Sequence, residues 1–360
     1  MRRYRNFSVF HFVLFLIIVS SSLLLNSSIW ASEEMKVHFI DVGQGDCILL
    51  QAPDNYDVLL DCGSLKGGDE EQTRSYIETN VEDKKIEVVV VTHPDGDHYN
   101  MLPYCVQDCT VDQVLIVRKT SDHKERTIDC EGEEAAGNMK EWLETFSDEE
   151  LRPLTLEDCC AESSPSPSEF FNNTYAKFYI IAAKVNEPKS EWRKSPKNTE
   201  SIVLLVSYDK FQLILSGDAT TCTEKYILGQ YAPNWLDCDV LKVGHHGSQT
   251  TSVSDNWAKV VKPEISIICA HKQNSFGHPG KEVIDRLDKY ATGEDVPSHS
   301  LIVWKKNKET KKWGKVKGYN KYKKAIFSTA TNGTVLLSTD GQKCKIKTSN
   351  PESEWEMPLQ

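Results

Sequence analysis

The sequence predicts an α/β sandwich of the αββα type, two sheets packed face to face with helices outside, and three observations predict it. Apolar runs of about five to eight residues, the length of strands, recur in two groups separated by a polar stretch. Helix-compatible stretches accompany the strand-like runs of both groups, one in the first and three in the second, as helices covering the outer faces of two sheets would. Hydrophobic residues make up 39% of the 360 and charged residues 26%, with only 19 Gly and 14 Pro, so the chain can bury a core and is neither fibrous nor largely disordered. A formal charge of -11 excludes a generally basic nucleic-acid coat.

Residues 1–32 begin with Arg2, Arg3 and Arg5, continue with an apolar run over 7–25, and end in the small residues Ser27, Ser28, Ala31 and Ser32. That order is the pattern of a secretory signal peptide. The alternative is an uncleaved membrane anchor, because the apolar run sits at the lower edge of what spans a bilayer. Either way the folded part is expected outside the cytoplasm, secreted or periplasmic, with membrane contact only if the segment is retained.

The first half of the sandwich is expected over 33–118, with strands at 36–41, 47–51, 57–61, 86–92 and 113–117 and a helix near 70–81. Over 119–175 the periodicity stops, acids accumulate and a Ser-Pro run spans 163–168, so this acidic, cysteine-containing segment reads as an insertion with one short helix near 134–146. The second half, 176–347, is expected to hold strands at 176–183, 201–208, 211–215, 240–243 and 265–270, with helices at 220–231, 253–261 and 281–290. A lysine-rich loop over 305–324 carries ten lysines and one glutamate, and two strand runs joined by an Asp340-Gly341 turn close the half. Residues 348–360 read as a tail.

Eleven cysteines are too few for a disulfide scaffold. Cys47, Cys62 and Cys269 fall in or beside strand-like runs and are expected to be buried. Cys105, Cys109, Cys130, Cys159 and Cys160 gather around the polar stretch, where an oxidising compartment favours one or two bridges.

The chemistry concentrates after strands. The apolar run 86–91 leads directly into Thr92-His93-Pro94-Asp95-Gly96-Asp97-His98, four metal-ligating side chains in six residues where Pro and Gly turn the chain. Ser216-Gly217-Asp218, Gly244-His245-His246-Gly247-Ser248 and Phe276-Gly277-His278-Pro279 stand in the same position relative to later strands. Loops gathered at one sheet edge make a preorganised site. Gly43-Gln44-Gly45 has no helix after it and reads as a tight turn, so no nucleotide cofactor is expected.

The His-x-Asp-x-Asp-His pattern at 93–98 resembles the metal motif of the metallo-β-lactamase superfamily. Together with 41–46, Leu60-Asp61-Cys62-Gly63, Asn198-x-x-Ser201 and the later motifs, it is similar to the nuclease domain of ComEC-type DNA-uptake proteins over about residues 36–347. The resemblance implies that His93 and Asp95 hold one divalent ion, that Asp97, His98 and His245 hold a second, and that Asp218 bridges them. It further implies that His246 and His278 contact or polarise substrate, with Asp97 and both histidines counted as catalytic, and that Asp61 orients a ligand. Asp41, Gln44 and Asp46 are expected at the rim or behind the ligands. The superfamily's second histidine is Asp95 here and Asn198 matches the place of another, an oxygen-rich first site that suits Mn²⁺ as readily as Zn²⁺.

Two ions about 3.5–4 Å apart would generate metal-bound hydroxide and stabilise developing charge, so hydrolysis is the expected reaction class. The resemblance implies a phosphodiesterase or DNase acting on nucleic acid. A phosphorylcholine or other phosphoester hydrolase of the same fold is the alternative enzyme, and a binding module without chemistry the alternative class. The multi-span channel of ComEC-type proteins is absent from the sequence, so a freestanding hydrolase is expected. In the lysine-rich segment Trp313, Tyr319 and Tyr322 offer aromatic faces for unpaired bases, and the lysines a polyanion contact.

Overall fold

The computed structural model describes residues 34–117, 133–159, 166–185, 196–293, 295–319 and 321–359. The expected signal segment, Cys130 and Cys160 lie outside them. The chain enters through β1 (Met35–Phe39), β2 (Cys47–Gln51) and β3 (Asp57–Cys62), an antiparallel meander. Helix α1 (Glu70–Asn80) starts where the Asp69 carboxylate accepts the Gln72 N–H at 3.0 Å, has Glu70 and Glu71 in its first turn, and buries Thr73 and Ile77 one turn apart. It crosses to β4 (Lys85–Val91), parallel to β3, and β5 (Thr110–Val117) is parallel to β4. Val88 to Val91 are all buried, the signature of a parallel strand covered on both faces.

The segment read as an insertion joins both sheets. After α2 (Glu133–Leu143), β6 (Leu151–Leu154) pairs parallel with β5, and β7 (Glu169–Asn172) pairs antiparallel with β8 (Ala176–Ala182). The second sheet continues through β9 (Val203–Tyr208) and β10 (Phe211–Leu215), then helix α3 (Thr221–Gln230) and β11 (Val240–Lys242). Helix α4 (Asp255–Val261), β12 (Ile265–Ile268) and helix α5 (Lys281–Tyr290) follow, the last burying Val283, Ile284 and Leu287. The lysine-rich segment opens as a hairpin of β13 (Trp304–Lys306) and β14 (Trp313–Lys315), and β15 (Ile326–Ser328) returns to the second sheet. Finally β16 (Val335–Thr339), β17 (Lys343–Ser349) and β18 (Glu352–Pro358) complete the first sheet. The expected tail is therefore an edge strand, paired with β17 along its length.

The first sheet has the order β18-β17-β16-β1-β2-β3-β4-β5-β6 and the second β15-β12-β11-β10-β9-β8-β7. Three apolar layers follow from strand alternation. Phe39, Leu50, Leu60 and Val90 meet Phe178, Leu204, Leu213 and Phe327 between the sheets. Leu49, Leu59 and Val89 face Ile77 of α1, while Leu205, Ile214 and Leu241 face Ile227, Trp257 and Leu287 of α3 to α5. That is the αββα sandwich the sequence predicts. Cys47, Cys62 and Cys269 are fully buried. Cys105 and Cys109 carry free thiols, so neither supplies the bridges expected of the cluster. No helix among the described residues is long and apolar enough to cross a membrane.

Candidate metal centre

The candidate ligands sit just beyond the C-terminal ends of parallel strands. β4 ends at Val91, and the turn through Pro94 into the one-turn helix Gly96–Tyr99 brings His93, Asp95, Asp97 and His98 together. Asp218 follows β10, His245 and His246 follow β11, and His278 returns on the loop after β12. His245 and His246 both adopt left-handed backbone (φ 44° and 50°), a strained pair of conformations costing on the order of 1–3 kcal/mol each.

Asp218 is the hub. Its Oδ1 lies 3.4 Å from His98 Nε2, and its Oδ2 lies 3.4 Å from His246 Nε2, 3.8 Å from His245 Nε2 and 4.0 Å from His93 Nε2. Asn198 Nδ2 donates to the same Oδ2 at 3.0 Å. His93 Nε2 stands 3.6 Å from Asp95 Oδ2, and His246 Nε2 stands 3.2 Å from Asp97 Oδ2. Four overlapping ligand groups emerge among the described residues, His93 with His98 and Asp218, Asp97 with His98 and His246, Asp46 with Asp218 and His246, and Asp46 with Asp61 and His98, each with its ligand atoms within 4.8 Å of one another.

These residues fit divalent cations. His93 Nε2, His98 Nε2 and Asp218 Oδ1 are buried and meet no hydrogen-bond partner among the described residues, a cost that a bound ion removes. The donors are carboxylates and imidazoles with no thiolate among them, a set for hard to borderline ions. Asp61 sits behind them: Oδ1 accepts the Thr92 N–H, and Oδ2 accepts the Thr92 hydroxyl and faces His98 Nδ1, each at 2.7 Å. Asp61 thus holds the Nδ1 side of His98 and turns Nε2 toward Asp218, where a bound ion would be received.

Burial works against protonation of His246, but the carboxylates of Asp218, Asp46 and Asp97 outweigh it and push its pKa up to about 10. Burial also raises the cost of charge on Asp218, and the surrounding imidazoles of His246, His98 and His245 more than offset it, holding the carboxyl well below its usual range. His278 is the opposite case, since burial, then His245 and His246, lower its pKa to about 3 and keep it neutral.

His93, Asp95, Asp97, His98, Asp218, His245, His246 and His278 thus converge, and most of them line a cleft of about 260 Å³ shared with Gln44, Asn198, Leu65 and Phe276. Both paired histidines turn Nε2 toward the hub: His246 lies between Asp97 and Asp218, and His245, whose Nδ1 stands 2.7 Å from the Thr251 hydroxyl, reaches Asp218 Oδ2 at 3.8 Å. Asp46 is buried behind the ligands rather than at the rim, and Asp41 spends its carboxylate on the Gly43 N–H.

One residue escaped sequence reasoning. Lys242, the last residue of β11, is fully buried, donates from Nζ to the Gly217 carbonyl at 2.6 Å, and forms an ion pair with Asp46. A lysine inside Val-Leu-Lys-Val was the available signal.

A family profile, the metallo-β-lactamase superfamily, matches residues 40–142. ComE operon protein 3 of Bacillus subtilis is 24% identical over 274 residues, 72% of this chain and 31% of that one. Recombination protein 2 of Haemophilus influenzae is 37% identical over 26% of this chain and 11% of its own, and competence protein ComA of Neisseria gonorrhoeae is 35% identical over 27% and 14%. The chain thus spans 31% or less of the length of the curated relatives it matches. In agreement with the ligand-lined cleft, the chain is similar over residues 40–142 to the metallo-β-lactamase superfamily and, over 72% and 27% of its length, to ComE operon protein 3 and competence protein ComA.

Proposed function

We propose that the chain is a metal-dependent phosphodiesterase acting on nucleic acid, exported from the cytoplasm by its N-terminal segment. The observation that carries the reading is the convergence of unsatisfied imidazole and carboxylate atoms on Asp218 in an open cleft. The likeness to competence and recombination proteins supports a nucleic-acid substrate.

In this reading His93, Asp95 and Asp218 hold one ion, and Asp97, His98, His246 and Asp218 hold the other, with Mn²⁺ and Zn²⁺ both suited. Such a pair supplies Lewis acidity toward a phosphoryl oxygen and acidifies water near neutral pH. The chain's own groups do the rest. Asp61 and Thr92 fix the tautomer and aim of His98, and Asn198 turns Asp218 by holding one of its oxygens. His278, kept neutral in the cleft wall, is placed to donate a ring N–H to a phosphoryl oxygen, and His245 lines the entrance.

The test is metal analysis of the purified protein, followed by assays on single-stranded DNA, duplex DNA and a chromogenic phosphodiester in Mn²⁺ and in Zn²⁺. Asp97→Ala should lose turnover by at least about 10²-fold while its circular dichroism stays that of the parent. Wild-type turnover in that variant would refute the assignment.

A further inference from the structure

The lysine-rich hairpin is fastened to the catalytic loop. Residues 305–324 carry ten lysines and one glutamate, +9 in a chain of -11, so the remainder carries -20. The hairpin stem is tied to the His278 loop by a backbone bridge, Trp304 N–H to the Pro279 carbonyl at 2.9 Å. Its second strand lays the Trp313 ring directly on Gly277, where φ is +75° and a Cβ would sit 2.1 Å from a ring carbon. Only glycine admits that contact.

The aromatic residues are spent on anchoring, contrary to the expectation that they offer free faces. Tyr319 and Tyr322 pack on the helix side of the second sheet, with the Tyr322 hydroxyl donating to Asp288 at 2.9 Å. Lys315 covers Trp304 and Lys306 covers Trp313, each at 5.4 Å from the ring centre. What the hairpin presents to solvent is charge. Lys305, Lys308, Lys311, Lys312 and Lys317 are exposed, and among the described residues no carboxylate pairs with them. The free aromatic face lies instead on the loop itself: Phe276, 47% exposed, stacks on His278 with centroids 5.7 Å apart and borders the cleft.

We propose that the hairpin and Phe276 together form the docking surface for one unpaired polynucleotide strand, the lysines receiving phosphates that flank the scissile bond and Phe276 stacking the base beside it. This rests on the phosphodiesterase reading. An acidic body with one basic arm restricts phosphate contact to that arm. A small phosphoester does not reach it, and a duplex keeps its bases away from a single aromatic face.

The test uses the full chain with Ca²⁺ in place of a catalytic ion, and anisotropy of a labelled oligothymidylate, a duplex of equal length and polyphosphate. The quadruple variant Lys305→Gln, Lys308→Gln, Lys311→Gln, Lys312→Gln should flatten the slope of log affinity against log salt by about 3, at roughly 0.7 per lost phosphate contact. Phe276→Ala should weaken the single strand about tenfold and leave polyphosphate unchanged. The quadruple variant should still hydrolyse the chromogenic diester at the parent rate, since its lysines lie outside the cleft. An unchanged slope, equal affinity for the duplex, or indifference to Phe276→Ala would overturn the docking surface. The phosphodiesterase reading falls separately, if the parent protein fails to turn over any phosphodiester.

Discussion

Gly63 offers a direct test of how tightly the fold holds the ligands. It follows β3, and its α-carbon faces the turn that carries Asp97 and His98: a Cβ there would lie 2.6 Å from the Asp97 carbonyl carbon, the Gly96 carbonyl oxygen and the His98 nitrogen. All three are backbone atoms, so no side chain can swing aside. Ordinary contact begins near 3.4 Å, and in Gly63→Ala the turn must withdraw by about 0.8 Å. It cannot do so freely, because Asp46 N–H donates to the Asp97 carbonyl at 3.1 Å and Gly63 N–H to the Asp46 carbonyl at 3.0 Å. A displacement approaching 1 Å in a catalytic constellation lowers rate by about 10²-fold, and the overlap costs on the order of 1–3 kcal/mol of stability. The same displacement should weaken Mn²⁺ binding, and calorimetric titration with Mn²⁺, kcat/KM on a chromogenic phosphodiester and thermal unfolding measure the three effects. Gly229→Ala in α3, whose Cβ meets nothing within 4 Å, is the control and should gain stability by up to about 1 kcal/mol without touching activity. Wild-type Mn²⁺ affinity and turnover in Gly63→Ala would refute the reasoning.

Two further outcomes follow from groups near and far from the cleft. Asp61→Asn keeps the shape but takes the charge from behind His98, and should weaken metal binding about 10- to 100-fold by competition against a chelating dye; unchanged affinity would remove Asp61 from its orienting role. Burial lowers the His38 pKa to about 4, so an unfolded chain takes up this proton near pH 6.5 and the folded chain does not until about 4. The stability contributed is complete above pH 6.5 and is lost as pH falls through that window, roughly 3 kcal/mol in all. Urea unfolding at pH 7 and pH 4.5 should show the smaller acid loss in His38→Leu, and equal losses in both proteins would exclude His38 as the source.

Much of the sandwich is legible because its central strands are apolar on both faces, as in 88–91, and because each half ends its strands in short motifs rich in His, Asp and Gly. The edges are not legible in the same way. β6 is Leu-Arg-Pro-Leu and β7 Glu-Phe-Phe-Asn, too short for a period to show, and β18 is charged at every other position to Glu356 with only Met357 buried, too polar to read as part of the core. Proximity of His93 to His98 and of His245 to His246 in sequence placed them together, but that the latter pair can both reach Asp218 depends on two left-handed residues that no periodicity reveals. The Lys242 ion pair was hidden for a different reason, since its partner Asp46 lies on the loop just before β2 of the other sheet and a lysine at a strand end ordinarily reads as solvent-facing.

That same lysine bears on how the protein holds its buried charge. Asp46, Asp61, Asp97 and Asp218 are crowded into one nearly dry corner of the sandwich. Left to themselves, such anions would drive the sheets apart before any mineral partner arrived. An ammonium permanently threaded up from β11, 3.9 Å from Asp218, gives the newly made polypeptide an internal counterweight. Part of the negative charge in that corner is thus balanced by the chain itself, whatever the supply of metal.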